Sequence, residues 1–489
     1  MKILLANMPI KFNKKENLEP PLGISYIGAV LKEKGYEVFL KDYEVEHFNP
    51  GELVRFVKEK NIGIVGTSFR TASYNSGKIF VDSLSSVRPD IKIIAGGHHA
   101  TAFPENTILD LGCDIIIRGE GEYTAGELIG AIEKGLPLID IKGISYKDGP
   151  YIKNNPDREP ITELDKLPFP DRDGLSYDSY TLATIITSRG CPFGCIYCDK
   201  GVSTKKVQYR SPDNIIEEII FITKRFNKHR LYIVDDHFFL KKDRTNAILD
   251  KIISLGLDIK WVCQARADGV DEDILIKAKR SGCEQIMFGL ETGDEMELRY
   301  IKKQNTLEQA EKAVYLTKKA GIKARTNFMM GFPVSTHAST RNTIRFAERI
   351  QPDIVRFFAV TPLPNTELWE KLYGDKKEIT GINWAIFDFY NPSFETKELK
   401  RSDISLYVLA GYWHVLKKRF IPETTVFFFP NMIRLLTKVI RTKKLRGNIS
   451  QYFPASINLI RDILPPLLKK GPIAALKMII SAVNLESKI

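Results

Sequence analysis

Over about the first 135 residues, short unbroken apolar runs alternate with longer stretches whose apolar positions recur at helical spacing. The runs are KILLAN (2–7), EVFLKD (37–42), IGIVGTS (62–68), IKIIAGG (91–97) and DIIIRGEGE (114–122). They are rich in β-branched residues and most close on a small or polar residue, which is the pattern of parallel strands buried on both faces. Segments such as ISYIGAVLKEKG (24–35) supply the helices between them. Five βα units predict an α/β domain with a Rossmann-like, doubly wound sheet, assigned to residues 1–140.

Residues 141–180, with PDREPITELDKLPFPDRD at their centre, are dense in Pro and Asp and lack periodicity, so they read as an ordered linker. A second alternating series follows over 181–375. Its strands are LATIITS (182–188), HRLYIVDD (229–236), IKWVCQAR (259–266), CEQIMFGLET (283–292), KARTNFMMGFP (323–333) and DIVRFFAVTP (353–362). Six repeats predict an open, partial (βα)6 barrel of the TIM type and argue against a closed eight-fold one. From 376 to 489 the texture becomes helical, aromatic and basic, as in TTVFFFPNMIRLLTKVIRTKKLRG (424–447) and LLKKGPIAALKMIISAVNL (467–485).

The chain has 489 residues, 43% of them hydrophobic and 27% charged, enough for two or three cored domains and too apolar for disorder. No run approaches a membrane span and the first residues lack a signal-peptide pattern, so a cytoplasmic location is expected. Net charge is +12, but residues 401–489 hold 15 basic and 4 acidic side chains, while residues 1–400 are balanced at 57 against 56. Any attraction to an anionic surface therefore belongs to the carboxy-terminal region. There, Phe427, Phe428 and Phe429 adjoin Arg434, Lys438, Arg441, Lys443, Lys444 and Arg446. Such a segment suits peripheral contact with an anionic membrane, or a lid over the barrel with a solvated basic face. The aromatics cluster instead of alternating with charge, which argues against nucleic acid.

Six cysteines are too few for a disulfide framework. Cys113, Cys263 and Cys283 stand alone, but Cys191, Cys195 and Cys198 form a C-x3-C-x2-C pattern in TSRGCPFGCIYCDKG, directly after a predicted barrel strand. Three thiolates this close can face one polynuclear centre from a single loop, with Gly190 and Gly194 letting the backbone curl. Three ligands on a four-iron cube leave one iron open for a substrate. A structural zinc site would need a fourth ligand, for which Asp199 and His237 are the nearby candidates, and a chance cluster is the remaining alternative.

The cysteine pattern, with the aromatic Tyr197 before its last member and a six-fold partial barrel around it, resembles the radical S-adenosylmethionine (SAM) enzymes. The resemblance implies a 4Fe-4S cluster on Cys191, Cys195 and Cys198, chelation of SAM by the open iron, and one-electron cleavage of SAM to a 5'-deoxyadenosyl radical. It also implies an electron donor such as flavodoxin or ferredoxin. Barrel ligands collect at the carboxyl ends of strands. Glu291 resembles the family's acidic residue near the SAM ribose. Gln264 and Arg266 are candidates for its ribose or carboxylate, and Asp235 or Asp236 for its ammonium group.

Three strand-end loops of the first domain, GTSFRT (66–71), AGGHHAT (95–101) and IRGEGE (117–122), together with PPLGISYIGAVLKEKGYEV (20–38), resemble the cobalamin-binding domain of one branch of these enzymes. By that resemblance Leu22, Gly23, Thr67, Ser68, Gly96, Gly97, His98, Gly119, Glu120, Gly121 and Glu122 line the corrinoid. The D-x-H-x-x-G motif that supplies a cobalt-binding His is absent, and neither Asp42 nor His47 has its spacing. His98 and His99 are therefore expected to pack along the corrinoid and not to bind cobalt.

The function so implied is a cobalamin-dependent radical SAM methyltransferase acting on an unactivated carbon of a lipid, isoprenoid or other natural product. Cyclisation, oxidation or C–C bond formation without methyl transfer uses the same parts, and a non-catalytic corrinoid or lipid carrier is the rival from another class. A methylthiotransferase would need three amino-terminal cysteines, where this chain has only Cys113.

Overall fold

The computed structural model describes residues 1–11, 19–199, 206–374 and 382–418; the basic segments 424–447 and 467–485 lie outside them. The chain divides into two compact units, Met1–Cys263 with Pro362–Asp388, and Gln264–Thr361 with Phe389 onward.

In the first unit, strands β1 (Lys2–Asn7), β2 (Glu37–Asp42), β3 (Ile64–Ser68), β4 (Lys92–Gly96) and β5 (Ile115–Ile117) run parallel in the order β2-β1-β3-β4-β5. Helices cover the sheet, so its central strands are nearly inaccessible: Ile3, Leu4, Val65, Ile93 and Ile116 are all buried. Strand order reverses between β1 and β3, which makes the crevice beyond Asn7, Ser68 and Gly96 the ligand-binding edge of such a sheet.

The open edge of β5 is covered by an antiparallel hairpin, β6 (Ile144–Asp148) and β7 (Tyr151–Asn154), with Ile115 opposite Tyr146. This hairpin falls in the segment that shows no periodicity. Only Ile144, Ser145 and Tyr146 are buried and the rest of it is largely solvated, so it leaves no apolar run to read. Covering a free edge in this way removes a site for unwanted strand pairing.

The sheet's core extends to a distant part of the chain. Trp369, Trp384 and Phe387 join the cluster of Leu4, Phe69, Tyr74 and Phe80. The Trp369 and Trp384 rings stack with centroids 5.9 Å apart, and Trp384 meets His99 edge-on at 4.6 Å.

The predicted strand over 182–188 is two strands, β8 (Ala183–Ile185) and β9 (Ser188–Arg189), the second paired with β10 (Gln208–Tyr209). β8 lies beside β11 (Arg230–Ile233), and β11 beside β12 (Lys260–Ala265), all parallel. The break has a physical cause at Asp235, described below. In the second unit β13 (Cys283–Glu291), β14 (Lys323–Met330) and β15 (Ile354–Ala359) run parallel. The six barrel strands are thus all present. The helix Arg401–Lys418 packs on β15, where the Tyr412 hydroxyl accepts from the Phe357 amide and donates to the Phe357 carbonyl. These bonds satisfy two backbone groups of a strand that, among the described residues, has no partner strand on that side.

Candidate active site

The cysteine loop leaves β9 at Gly190, whose φ of 99° is open to glycine and strained for other residues. Cys191 and Cys195 are half-buried, Cys198 is exposed and Tyr197 is half-buried. The Cys198 amide donates to the Cys195 carbonyl at 3.2 Å, closing a turn. Ile196 is buried, and its carbonyl accepts from the Leu368 amide at 2.8 Å, which pins the middle of the loop. Among the described residues no three His, Cys, Asp or Glu side chains stand at the spacing of a single metal ion. Thiolates on separate corners of a cube are more widely spaced than ligands of one ion, and an all-sulfur donor set is what such clusters take. The loop therefore fits a four-iron cluster held by Cys191, Cys195 and Cys198.

Both ends of this loop are held by the first sheet's strand-end loops. At the start, Arg189 donates to Glu120 at 2.7 Å and to Glu122 at 2.6 Å, and its guanidinium lies 5.2 Å from the centre of the Tyr26 ring. Burial works against this cation, but the Glu122 and Glu120 carboxylates outweigh it and raise the Arg189 pKa. Glu120 also accepts from the Ile161 amide at 2.6 Å. At the other end, His98 Nδ1 lies 3.1 Å from the carboxylate of Asp199, the residue after Cys198. Sequence reasoning placed Glu120, Glu122 and His98 on the corrinoid, and in the structure each has a bond to the cysteine segment. It did not single out Arg189 at all. The available signal was an arginine directly before Gly190 and Cys191, with two glutamates in IRGEGE to oppose it.

Asp235 is completely buried and accepts from the Thr187 amide at 2.6 Å, the Thr187 hydroxyl at 2.5 Å and the Ser188 hydroxyl at 2.6 Å. These bonds turn the chain between β8 and β9 and occupy a carboxylate that the sequence suggested for the SAM ammonium group. Its neighbour Asp236 is exposed, as is Gln264. Arg266 is buried and grips Asp268 through two bonds of 3.0 Å, so its charge is already paired at the position suggested for the SAM carboxylate.

Glu291 ends β13 in a left-handed conformation, φ 70°, at a register shift against β14. Its carboxylate is mostly buried and accepts from Lys303 Nζ at 3.0 Å. Any side chain at Gly289 would collide with it. A non-glycine residue held in this conformation stores about 1–3 kcal/mol of strain, a cost found where the surrounding structure fixes a side chain for function. Lys303 is a second residue that sequence reasoning missed. Six residues after Glu291, Glu297 is buried and accepts from Ser335 and Ser339, both at 2.6 Å, and from Thr292.

At the switch-point edge of the first sheet, Thr67 is buried near the end of β3 and its hydroxyl oxygen has no hydrogen-bond partner among the described residues. Ser68, Gly96 and Gly119, at or just past the ends of β3, β4 and β5, are half-buried, Gly121 is buried, Leu22 is half-buried and Gly23 exposed. Gly97 has φ 94°, and a Cβ there would lie 2.6 Å from the Phe69 carbonyl oxygen. An orphaned hydroxyl and glycine-bounded loops at the switch point fit a nucleotide-tailed ligand such as cobalamin. His99 does not share this edge with His98. It is buried among Tyr74, Trp384 and Phe103, bonds Thr71 at 3.2 Å, and burial lowers its pKa to about 3. It is a neutral core residue.

A doubly wound sheet with a nucleotide-type crevice, joined to a parallel-stranded series that begins in a three-cysteine loop, defines a two-cofactor α/β enzyme. Residues 12–129 match the B12 binding domain and residues 185–347 the Radical SAM superfamily. The chain is 31% identical to an uncharacterized methyltransferase of Pyrococcus horikoshii, over 84% of this chain and 92% of that one. It is 25% identical to the anaerobic magnesium-protoporphyrin IX monomethyl ester cyclase of Rubrivivax gelatinosus, over 80% and 73%. Among solved structures, the cobalamin-dependent SAM radical enzyme OxsB with aqua-cobalamin and SAM bound has the same fold, with a TM-score of 0.72 at 20% identity, covering 96% of this chain and 75% of that one. The chain belongs to the cobalamin-binding radical SAM enzymes, and its cofactors are a 4Fe-4S cluster, SAM and cobalamin.

Among the described residues no helix is long and apolar enough to cross a membrane.

Proposed function

We propose that this enzyme methylates an unactivated carbon of a small hydrophobic molecule, a lipid, isoprenoid or comparable natural product. The observation that carries the reading is the attachment of the cysteine loop, at Arg189 and Asp199, to the strand-end loops of the corrinoid sheet. When bound, the cluster and SAM supply a 5'-deoxyadenosyl radical and cobalamin supplies a methyl group. In this reading Cys191, Cys195 and Cys198 hold the cluster. Tyr197, Asp236, Gln264 and Glu291 contact SAM, and Thr67, Ser68, Gly96, Gly97, Gly119 and Gly121 line the corrinoid with Leu22 and Gly23. Asp235 and Arg266 act one step back, by shaping the chain beside these groups. Residues 1–140 serve the corrinoid and 181–375 the cluster and SAM.

The Pyrococcus relative, a methyltransferase by name, supports methyl transfer. The cyclase relative favours a second reading, ring formation on the same two cofactors without methyl transfer. A small electron-transfer protein such as flavodoxin or ferredoxin supplies electrons, and the basic carboxy-terminal region suits either a lid with a solvated basic face or a peripheral contact with an anionic membrane surface.

Product analysis with anaerobically purified, reconstituted enzyme tests the reading. Methylation yields S-adenosylhomocysteine and 5'-deoxyadenosine in equal amounts as substrate gains one methyl group. Turnover that yields 5'-deoxyadenosine alone rejects methyl transfer in favour of cyclisation.

A further inference from the structure

We propose that the corrinoid sheet is a splint for the cluster loop, and that Glu120 and Glu122 act as positioning residues for the cluster and not as corrinoid contacts. The proposal rests on the assignment of the two cofactors above. Its basis is the distribution of ties along the chain. Arg189 lies two residues before Cys191 and Asp199 one residue after Cys198, so the eleven residues from 189 to 199 contain all three thiols and a polar tie at each end.

The first tie is the stronger. Arg189 spends two N–H groups on two different carboxylates, and its side chain is 15% exposed against 11% for Glu120 and 6% for Glu122. Charge-assisted bonds in so dry a setting hold direction as well as distance. Lysine could not reproduce the fork, because its ammonium is a point charge on a flexible stem. Glu120 is itself fixed by the Ile161 amide, and Glu122 opens the helix Glu122–Lys134, so neither carboxylate has slack to take up. The guanidinium also rests against Tyr26 of the helix Leu22–Glu33, so a second element of the same sheet backs the clamp. Both glutamates lie in the loop after β5, at the edge where the corrinoid is expected. One oxygen of each is committed to Arg189, and the second oxygen of Glu120 to the Ile161 amide.

The consequence is one-directional. Loosening the clamp disturbs the cluster, while the corrinoid crevice at β1, β3 and β4 keeps its own backbone and its own core. The test uses full-length protein produced with cobalamin and purified without oxygen, comparing wild type with Glu120→Gln, Glu122→Gln and Arg189→Lys. Three quantities are read: corrinoid per chain by absorbance, iron and sulfide per chain, and the electron paramagnetic resonance spectrum of the reduced cluster with and without SAM. The expected result is corrinoid within twofold of wild type in all three variants. Iron should be halved or lower, or the SAM-dependent change in the spectrum altered or lost. Corrinoid reduced fivefold or more in the glutamine variants, with iron and spectrum as in wild type, would overturn the proposal and return both glutamates to the corrinoid. If the glutamine variants do not fold, Arg189→Lys decides: a folded Arg189→Lys protein with wild-type iron and spectrum also overturns it. Wild-type protein without iron or corrinoid would instead fail the cofactor assignment itself, which separates the two.

Discussion

Histidine 98 and histidine 99 are adjacent in sequence and opposite in circumstance. His98 is partly exposed and tied to Asp199, whereas His99 is buried in an aromatic box with its pKa lowered to about 3, chiefly by desolvation. An unfolded histidine titrates near 6.5. Between these values the unfolded chain binds a proton that the folded chain refuses, so His99 makes stability rise with pH through this window and fall as pH drops from about 6.5 towards 3. The loss reaches several kcal/mol at the acid end, at about 1.4 kcal/mol per pH unit of separation. His99→Phe keeps a ring in the box and removes the titration. Wild type should therefore lose melting temperature more steeply than His99→Phe between pH 7 and pH 4.5; parallel curves would refute the assignment of His99 as a neutral core residue. Glu291 is a second residue whose surroundings define it, with its left-handed backbone and its bond to Lys303. Glu291→Gln keeps shape and removes charge. If Glu291 contacts SAM, a lost hydrogen bond to a charged group costs about 1.5–3 kcal/mol, roughly a ten- to hundredfold weaker affinity. Equilibrium dialysis of cluster-loaded protein against SAM checks this, and an affinity within twofold of wild type removes Glu291 from the site.

At the scale of elements, the chain leading to the cysteine loop is held by buried charge. Glu218 is fully buried in the helix Pro212–Phe226 between two guanidiniums, Arg172 at 2.5 Å and Arg210. Arg172 also donates to the Thr184 carbonyl at 2.9 Å and Arg210 to the Ile186 carbonyl at 2.8 Å, so one carboxylate governs both cations that grip β8 and the residue after it. Removing one member of a buried ionic set leaves the others uncompensated, at about 3–5 kcal/mol. Glu218→Gln should lower the thermal midpoint by many degrees and reduce cluster incorporation; a shift of a degree or two would show that water reaches the site. Elements of this kind were only partly legible. The parallel strands were: β1 and β2 match the apolar runs residue for residue, and β13 and β14 begin where their runs begin. Continuous apolar runs mark strands covered on both faces, and these strands are so covered. The hairpin Ile144–Asn154 was not legible, because a half-solvated edge pair leaves no run. The split of β8 from β9 was hidden too. Apolar pattern continues through Ile186, and the turn depends on a carboxylate 48 residues away at Asp235.

At the scale of the whole molecule, cofactor type was legible and side-chain tasks were less so. Cysteine spacing and strand-end glycines are local patterns, readable in one stretch of chain. Whether a strand-end carboxylate faces a ligand or a distant arginine is decided by tertiary pairing, which is why Glu120, Glu122 and Asp235 carry structural bonds beside the positions suggested for ligands. Equally hidden was the return of Trp369, Trp384 and Phe387 to the first sheet, since apolar spacing tells that a segment is buried but not against what. That return bears on how the two cofactor sites fail. The corrinoid sheet has a closed aromatic core that includes no cysteine of the loop, whereas the loop leans on that sheet through Arg189, Asp199 and the Leu368 amide. Dependence therefore runs from the loop to the sheet and not back. Cys195→Ala should keep corrinoid within twofold of wild type, hold iron well below four per chain, and form no 5'-deoxyadenosine above background with any reductant. Corrinoid that disappears together with the cluster in this variant would show that the loop supports the sheet in return and would refute the one-way dependence.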